Sequence, residues 1–131
     1  MDDRVSQRLR IQPGEYVIDH LPQATVPPST SDWLAVIRAP EGLTIVRPAQ
    51  PADPAANRWV AFYSGQTAHG LDVPGMLAAV VNPLARAALS VFVASTYYAD
   101  LVLVQAGHAQ AAAEVLRQAG HIVEDAADAP A

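Results

Sequence analysis

The sequence contains no cysteine and no lysine among its 131 residues. The absence of cysteine excludes disulfide frameworks, thiolate nucleophiles and cysteine-based zinc sites, so folding needs no oxidising compartment. All eight basic residues are scattered arginines, and the formal net charge is −5. Binding a nucleic acid backbone needs clustered Lys or Arg, so we expect no nucleic acid partner.

Aromatic residues make up only 6% of the chain, and long apolar runs are missing. No run approaches the roughly 18 apolar residues of a membrane-spanning helix, and the N-terminal segment lacks the apolar core of a secretion signal. We therefore expect a cytoplasmic protein without a membrane partner. Alanine raises the hydrophobic share to 51%, so the core depends on Val, Leu and Ile. A chain of 131 residues suffices for one sizeable core, or for two small ones that share a sheet or an interface.

Short β-branched segments separated by turn residues predict that the first half of the chain consists of strands. Pro13-Gly14 lies between two such segments and predicts a tight turn. Three prolines make residues 21–32 a loop, and the Pro- and Ala-rich residues 48–57 read as an exposed connector between two halves. The predicted strands are residues 8–11, 16–20, 33–38 and 43–46, the last two forming a hairpin.

Hydrophobic periodicity in the second half predicts strands alternating with helices. A first helix is expected to end near residue 88, and an alanine-rich second helix is followed by Gly120, which suits the left-handed C′ position. The resulting order β, α, β, β, α, β gives a four-stranded antiparallel sheet with two helices on one face, the ferredoxin-like arrangement. The predicted strands are residues 59–64, 90–96, 101–104 and 121–123, and the second helix is residues 109–119.

Pro83 interrupts the first predicted helix, because a proline has no N–H to donate to the carbonyl of Ala79. The sequence leaves two outcomes open. Either the helix kinks at this position, or Asn82 caps a second segment that has Pro83 as its first helical residue.

Several segments carry a family resemblance. Residues 72–77, Asp-Val-Pro-Gly-Met-Leu, resemble the Asp-x-Pro-Gly-x-Leu signature of ACT domains, modules that bind small ligands, usually amino acids. Residues 82–85, residues 89–97 and Asp100 are similar to segments of small bacterial tandem-ACT proteins related to the CASTOR arginine sensors. Residues 16–46 resemble the degenerate first ACT-like half of that branch.

The resemblance implies an α+β fold with a ferredoxin-like βαββαβ ACT domain at residues 58–124. A degenerate ACT-like half at residues 1–57 precedes it, and a flexible acidic tail follows at residues 125–131. The implied function is a regulatory or sensor module without catalytic activity, which binds a small molecule of the amino acid class between two halves or two subunits of a homodimer. It implies no cofactor and no metal. The ligand-binding residues carried over from the family are Asp72, Val73, Gly75, Ser95, Thr96, Tyr97 and Asp100.

The chemistry of these residue types suits an amino acid. A turn with Pro74 and Gly75 at a helix start lets the backbone approach a ligand closely and directs N–H groups at a carboxylate. Asp100 or Asp72 would then accept hydrogen bonds from the ligand amino group. Each residue also has a purely structural interpretation. Asp72 is a typical helix N-cap, Gly75 allows close helix–sheet packing, and Asp100 is typical of a residue that closes a turn.

The sequence departs from the family in one segment. Tyr97-Tyr98-Ala99-Asp100 stands where the branch commonly has Phe-Asp-Thr-Asp. If these residues are strand-like, the two tyrosines alternate between faces, so one is expected in the core and the other exposed. The departure motivates an alternative hypothesis, a protein-interaction or oligomerisation module with a vestigial ligand site.

Catalytic and metal-binding patterns are weak. No pair among the four histidines has the spacing of a metal-binding helix. The chain has no Gly-x-Ser-x-Gly elbow, although a Ser/His/Asp triad needs no proximity in sequence and stays open. A small enzyme would need two titratable groups converging in a pocket.

Overall fold

The computed structural model describes residues 6–27, 29, 32–65 and 74–125. In this part of the chain, eight strands and two α-helices follow one another in the order predicted for a mixed α+β protein. They are β1 (Arg8–Ile11), β2 (Tyr16–Leu21), β3 (Ala35–Ala39), β4 (Gly42–Pro48), β5 (Trp59–Tyr63), α1 (Met76–Arg86), β6 (Val91–Ser95), β7 (Asp100–Gln105), α2 (Ala109–Gln118) and β8 (Ile122–Glu124). The order β5-α1-β6-β7-α2-β8 confirms the βαββαβ prediction.

The eight strands belong to one sheet. β5 pairs along one edge with β7, and β7 pairs with β6, all antiparallel. The other edge of β5 is shared by two strands of the first half, with Tyr16 of β2 opposite Trp59 and Arg10 of β1 opposite Tyr63. β2, β4 and β3 continue the sheet as an antiparallel set. Hydrogen bonds of the sheet therefore join the two halves of the sequence.

β8 does not lie beside β5, where the expected four-stranded sheet would have it. β8 pairs in parallel with β1, and β1 lies between β8 and β5. Two interactions explain the insertion. Leu9 of β1 is fully buried in the core beneath the helices, and Arg8 forms an ion pair with Glu124 of β8 at 2.7 Å. The expected direct pairing of the last strand with β5 is wrong, because a strand from the first half occupies that position.

Two cores lie on opposite faces of β5 and β7. Side chains alternate along a strand, so Val60 and Phe62 face the helices, whereas Ala61 faces the other side. The helix side includes Leu84 of α1 together with residues of α2. The opposite face of β5–β7–β6 packs against the first half through the following side chains: Tyr16, Ile18, Leu34, Ala35 and Val46.

α1 runs through Pro83 as one helix, so Asn82 does not cap a second segment. The carbonyl of Ala79, which Pro83 leaves without its usual donor, accepts a hydrogen bond from Nε2 of His121 at 2.8 Å. The Nδ1 atom of His121 accepts the backbone N–H of Gln7 at 3.0 Å. Because Nδ1 is an acceptor, the neutral imidazole carries its proton on Nε2. A buried histidine thus replaces the hydrogen bond that the proline removes.

Both helices end with the same backbone motif. After α2, Gly120 adopts φ +100°, which confirms its predicted C′ position, and the N–H of His121 bonds to the carbonyl of Leu116. After α1, the corresponding bond joins Leu89 to Leu84, but the left-handed residue is Ala88, with φ +60°. A non-glycine residue therefore occupies a strained position at the end of α1. None of the helices in the described ranges is long and apolar enough to cross a membrane.

Candidate ligand site at one end of the sheet

The structure places three of the seven predicted ligand-binding residues together at the β6–β7 turn. Ser95 ends β6, Asp100 begins β7 directly opposite it, and Thr96 lies in the turn between them. Gly75 immediately precedes α1. Asp72 and Val73 lie outside the described residues.

Asp100 is the most buried polar residue of this group, with 4% of its surface exposed. Its Oδ1 atom accepts a hydrogen bond of 2.7 Å from the hydroxyl of Ser95. Its backbone is held by Ser64, because the Asp100 N–H donates to Ser64 Oγ at 2.9 Å and the Asp100 carbonyl accepts the Ser64 N–H at 3.0 Å. Burial of a carboxylate is costly unless hydrogen bonds compensate it, and the Ser95 hydroxyl supplies such a bond, while the Ser64 bonds fix the Asp100 backbone.

Thr96 closes the β6–β7 turn with two hydrogen bonds to Ala99. Its N–H donates to the carbonyl of Ala99 at 2.8 Å, and its hydroxyl oxygen accepts the Ala99 N–H at 3.0 Å. These two bonds form without the Asp100 side chain, which bonds across the turn to Ser95 instead, so the interpretation of Asp100 as a residue that closes the turn stays open.

Tyr97 and Tyr98 are both exposed, with relative exposures of 66% and 61%. Their rings contact each other edge to face, with centroids 4.7 Å apart. The expectation that one of them enters the core is wrong, because these residues form a bend and do not alternate as in a strand. Ala99 is the fully buried residue of this turn.

Gly75 adopts a left-handed backbone conformation that favours glycine over other residues. Its φ is +85°, and a Cβ atom added there would meet no heavy atom of the described residues within 4 Å. Among these residues, close packing therefore does not explain the glycine, whereas its positive φ does. The Gly75 carbonyl accepts the N–H of Ala79 at 3.1 Å and so begins the helical hydrogen bonds. Helical geometry leaves the N–H groups of the first turn without partners inside the helix.

The start of α1 and the buried carboxylate lie at the same end of the sheet. Gln7 Nε2 donates to the carbonyl of Met76 at 2.7 Å, so the residue before β1 contacts the first residue of α1. β1 runs antiparallel to β5, which places Gln7 beyond the Tyr63 end of that strand. Ser64 follows Tyr63 and contacts Asp100 at this same end.

Two structural residues of this region were missed by sequence reasoning. Ser64 was interpreted only as the end of a strand, although it is buried and binds the Asp100 backbone. The antiparallel pairing of Tyr63 with Leu101 places Ser64 beside Asp100, so the strand register was the signal that could have found it. Gln7 is also buried, and no local pattern in the sequence marks it.

Grooves lined by described residues also occur elsewhere. One of 620 Å³ lies at the opposite end of β5, where it is lined by Glu15, Arg58, His108 and neighbouring residues. Another of 570 Å³ lies on the first half and includes Asp19, Trp33 and Arg47. Within the described ranges, no group of three or more His, Asp or Glu side chains is arranged to hold a metal ion.

Comparisons with known proteins agree with this architecture. Residues 55–118 match the family model of the ACT domain. The chain is similar to the crystal structure of protein Atu0741 from Agobacterium tumefaciens, with a TM-score of 0.78 and 25% identity over 92% of this chain and 93% of that one. It is also similar to VC0802 from Vibrio cholerae, a protein of unknown function described as a possible transport protein, with a TM-score of 0.65 and 28% identity over 86% and 89% of the two chains. No curated protein matches the chain.

The family match covers the second half of the sequence. The matched residues contain β5, α1, β6, β7 and α2, and both helices pack on the same face of the sheet. The family match and the observed topology thus lead to one conclusion: residues 55–118 match an ACT domain, and with β8 they have its βαββαβ order, although β1 lies between β8 and β5.

Proposed function

We propose that this protein is a regulatory or sensor module that binds a small molecule of the amino acid class, without catalysing a reaction. ACT domains generally bind small ligands in regulation, and residues 55–118 match that family. The observation that carries the proposal is the buried Asp100 carboxylate, fixed by the Ser95 hydroxyl at 2.7 Å. A fixed carboxylate is a suitable acceptor for a ligand ammonium group.

The start of α1 supplies the complementary chemistry. N–H groups in the first turn of a helix favour anions, and Gly75 allows the backbone to turn sharply before them. An ammonium beside Asp100 and a carboxylate near the start of α1 would together recognise a zwitterion. Asp72, Val73, Thr96 and Tyr97 remain proposed members of this site on the basis of the family resemblance.

A ligand would act by binding one arrangement of the protein more tightly than another. In the proposed arrangement, the ligand lies between the two halves or between the subunits of a homodimer. The resemblance to tandem-ACT sensors also supports a cytoplasmic location. The free-energy difference available for regulation equals the difference in ligand affinity between the two arrangements.

Isothermal titration calorimetry against the common amino acids tests the proposal. We expect binding by at least one of them, and loss of that binding in Asp100→Asn, which removes the charge but keeps the shape of the side chain. Glu114→Gln is the matched control, because it removes one negative charge from an exposed position on α2. It should bind as the unaltered protein does.

Silence with every amino acid, in a protein whose circular dichroism shows a folded state, would contradict the proposal. Equal loss of binding in both variants would show that the ligand responds to the net charge of the protein rather than to the Asp100 carboxylate. The alternative, an oligomerisation module with a vestigial site, predicts a dimer that survives Asp100→Ala and shows no thermal shift with any metabolite. The family match does not favour that alternative.

A further inference from the structure

The buried polar side chains of the described residues lie together at one end of the sheet. Each belongs to a residue two positions along the chain from a core residue that faces the helices, so side-chain alternation directs all of them to the helix face. The polar residues are Gln7, Ser64, Asp100 and His121, and the corresponding core residues are Leu9, Phe62, Val102 and Val123. Strand pairing places the polar set at the end of the sheet where α1 begins.

Two of these side chains hold the first turn of α1. Gln7 Nε2 donates to the carbonyl of Met76 at 2.7 Å, and His121 Nε2 donates to the carbonyl of Ala79 at 2.8 Å. Residues three positions apart lie on the same side of a helix, so both bonds hold one side of α1. The start of α1 is thereby fixed to the segment before β1 and to the segment before β8.

The backbone of Gln7 is fixed as well. Its N–H donates to Nδ1 of His121 at 3.0 Å, and its carbonyl accepts the N–H of Ile122 at 2.9 Å. The residue is only 2% exposed. Because the backbone is engaged on both sides and the side chain is enclosed, the Gln7 amide holds α1 from a defined place.

The other two buried polar residues belong to the acceptor side of the proposed site. Ser64 Oγ accepts the Asp100 N–H at 2.9 Å, and the Ser95 hydroxyl donates to the Asp100 carboxylate at 2.7 Å. The carboxylate and the start of α1 are thus positioned by separate residues. A change at Gln7 is therefore expected to disturb the helix side of the site and to leave the carboxylate side in place.

We propose that Gln7 is a positioning residue of the amino acid site, which sets the place of the first-turn N–H groups of α1 relative to the Asp100 carboxylate. This inference rests on the proposed function, because it assigns the ligand carboxylate to the start of α1. Hydrogen bonds weaken steeply with distance and angle, so binding groups must be held within about 0.5 Å of their productive positions. Gln7 comes from the first half of the sequence, so ligand affinity depends on β1 being in place.

Hydrogen exchange in the ligand-free protein tests the hold on α1. Gln7→Met keeps the length of the side chain and the backbone bonds, but it removes the donor to the Met76 carbonyl. We expect amide exchange of Ala79 and Val80 to become about fivefold faster, because local opening of the first turn becomes easier, while exchange of Leu116 in α2 stays unchanged. Gln7→Leu, which also lacks a donor, repeats the measurement if Gln7→Met does not fold.

Calorimetry with paired probes tests the effect on the site. The probes are the twenty common amino acids and, for each that binds, its primary amide, which keeps the ammonium group but lacks the carboxylate. At about pH 6 the ammonium group of both probes is protonated. The unaltered protein should bind the acid about tenfold more tightly than the amide, because the start of a helix favours an anion. In Gln7→Met this preference should fall by about fivefold, since only the carboxylate end of the site is disturbed.

Two further variants separate positioning from a general loss of structure. Arg117→Met also removes a side-chain donor to a main-chain carbonyl, but its 2.9 Å bond to Val123 joins α2 to β8 rather than to α1. It should leave the preference for the acid within about twofold. Asp100→Asn should weaken binding of the acid and the amide alike, because both carry the ammonium group, so the preference should again stay within about twofold.

Several results would overturn the inference. They are unchanged exchange of Ala79 and Val80, an equal preference for the acid in Gln7→Met and the unaltered protein, and an equal drop of that preference in Arg117→Met. Equal binding of acid and amide by the unaltered protein would place the ligand carboxylate away from α1.

Failure of the inference is distinguishable from failure of the proposed function. Silence of the unaltered protein with every amino acid would contradict the proposed function and remove this inference with it. Binding by the unaltered protein, together with an unchanged preference in Gln7→Met, would contradict the role of Gln7 alone.

Discussion

Replacement of His121 tests whether this side chain compensates for the proline in α1. His121→Ala removes the donor to the Ala79 carbonyl and the acceptor of the Gln7 N–H, both in a buried setting. Each buried group left unsatisfied costs about 1–3 kcal/mol, and loss of the ring leaves a cavity. We expect the free energy of unfolding to fall by about 3–5 kcal/mol, at the upper end of single-substitution effects.

A second substitution identifies which part of this loss depends on the proline. Pro83→Ala supplies the N–H that an ordinary helix would donate to the Ala79 carbonyl. In this background, His121→Ala should cost about 1 kcal/mol less, because the carbonyl keeps a partner. Urea denaturation of the four proteins of the cycle, with equal m-values, measures the coupling energy.

The control is Leu103→Ala, which lies in the core on the opposite face of the sheet. Its cost should agree between the unaltered protein and the Pro83→Ala variant to within about 0.5 kcal/mol, as expected for sites without shared partners. If His121→Ala costs the same in both backgrounds, the interpretation of His121 as a substitute for the missing N–H would be refuted.

The helix ends give a matched pair: Ala88→Gly should raise the free energy of unfolding by about 0.5–1 kcal/mol, and Gly120→Ala should lower it by about 1 kcal/mol, both measured in urea. A loss of stability in Ala88→Gly would show that the positive φ is not strained. Ser64→Ala should lower the free energy of unfolding by about 1–2 kcal/mol and weaken amino acid binding, because the Asp100 N–H loses its acceptor; unchanged calorimetry would contradict its positioning role. The pKa of Asp53 is lowered from 3.8 to about 2 in the folded state, so its stabilising effect is present above pH 3.8 and disappears as the pH falls toward 2. The stability difference between the unaltered protein and Asp53→Asn should shrink over that range, and a constant difference would count against the Arg47 pairing.

Local sequence patterns were sufficient for the order of the elements in the second half. β5 and β7 are apolar along nearly their whole length, which is typical of strands buried on both faces, but the strand period alone does not say which of their residues face the helices. Gly120 was predictable, since a left-handed residue after a helix favours glycine. Ala88 occupies the same position without any such signal.

The insertion of β1 could not be predicted, because it depends on pairing between residues far apart in the sequence. Nothing local in residues 8–11 distinguishes a strand of the first half from one that separates β5 from β8. The hydrogen-bond donor to the Ala79 carbonyl could not be predicted for the same reason. Pro83 identifies the lost bond, whereas only the tertiary structure brings His121 to it.

At the candidate site, the family resemblance predicted Ser95, Thr96 and Asp100 as ligand-binding residues, but the sequence did not predict their separate structural roles. Thr96 closes the turn, Ser95 holds the carboxylate, and Ser64 holds the Asp100 backbone. Composition and spacing do not say which of several polar residues near a turn takes which role. The pairing register of the strands determines this, because it decides which side chains lie opposite one another.

The insertion of β1 also has a consequence for biosynthesis. The N–H of Ile122 bonds to the carbonyl of Gln7, so β1 is hydrogen-bonded beside a strand that is synthesised long after it. Contacts of such long sequence separation slow folding, and nascent chains with unpaired strand edges are prone to misassembly. We therefore expect the outer edge of β1 to stay uncovered until β8 has been synthesised. A chain that begins at residue 55 would contain the complete ACT match, yet it would lack the strand on which β8 is built.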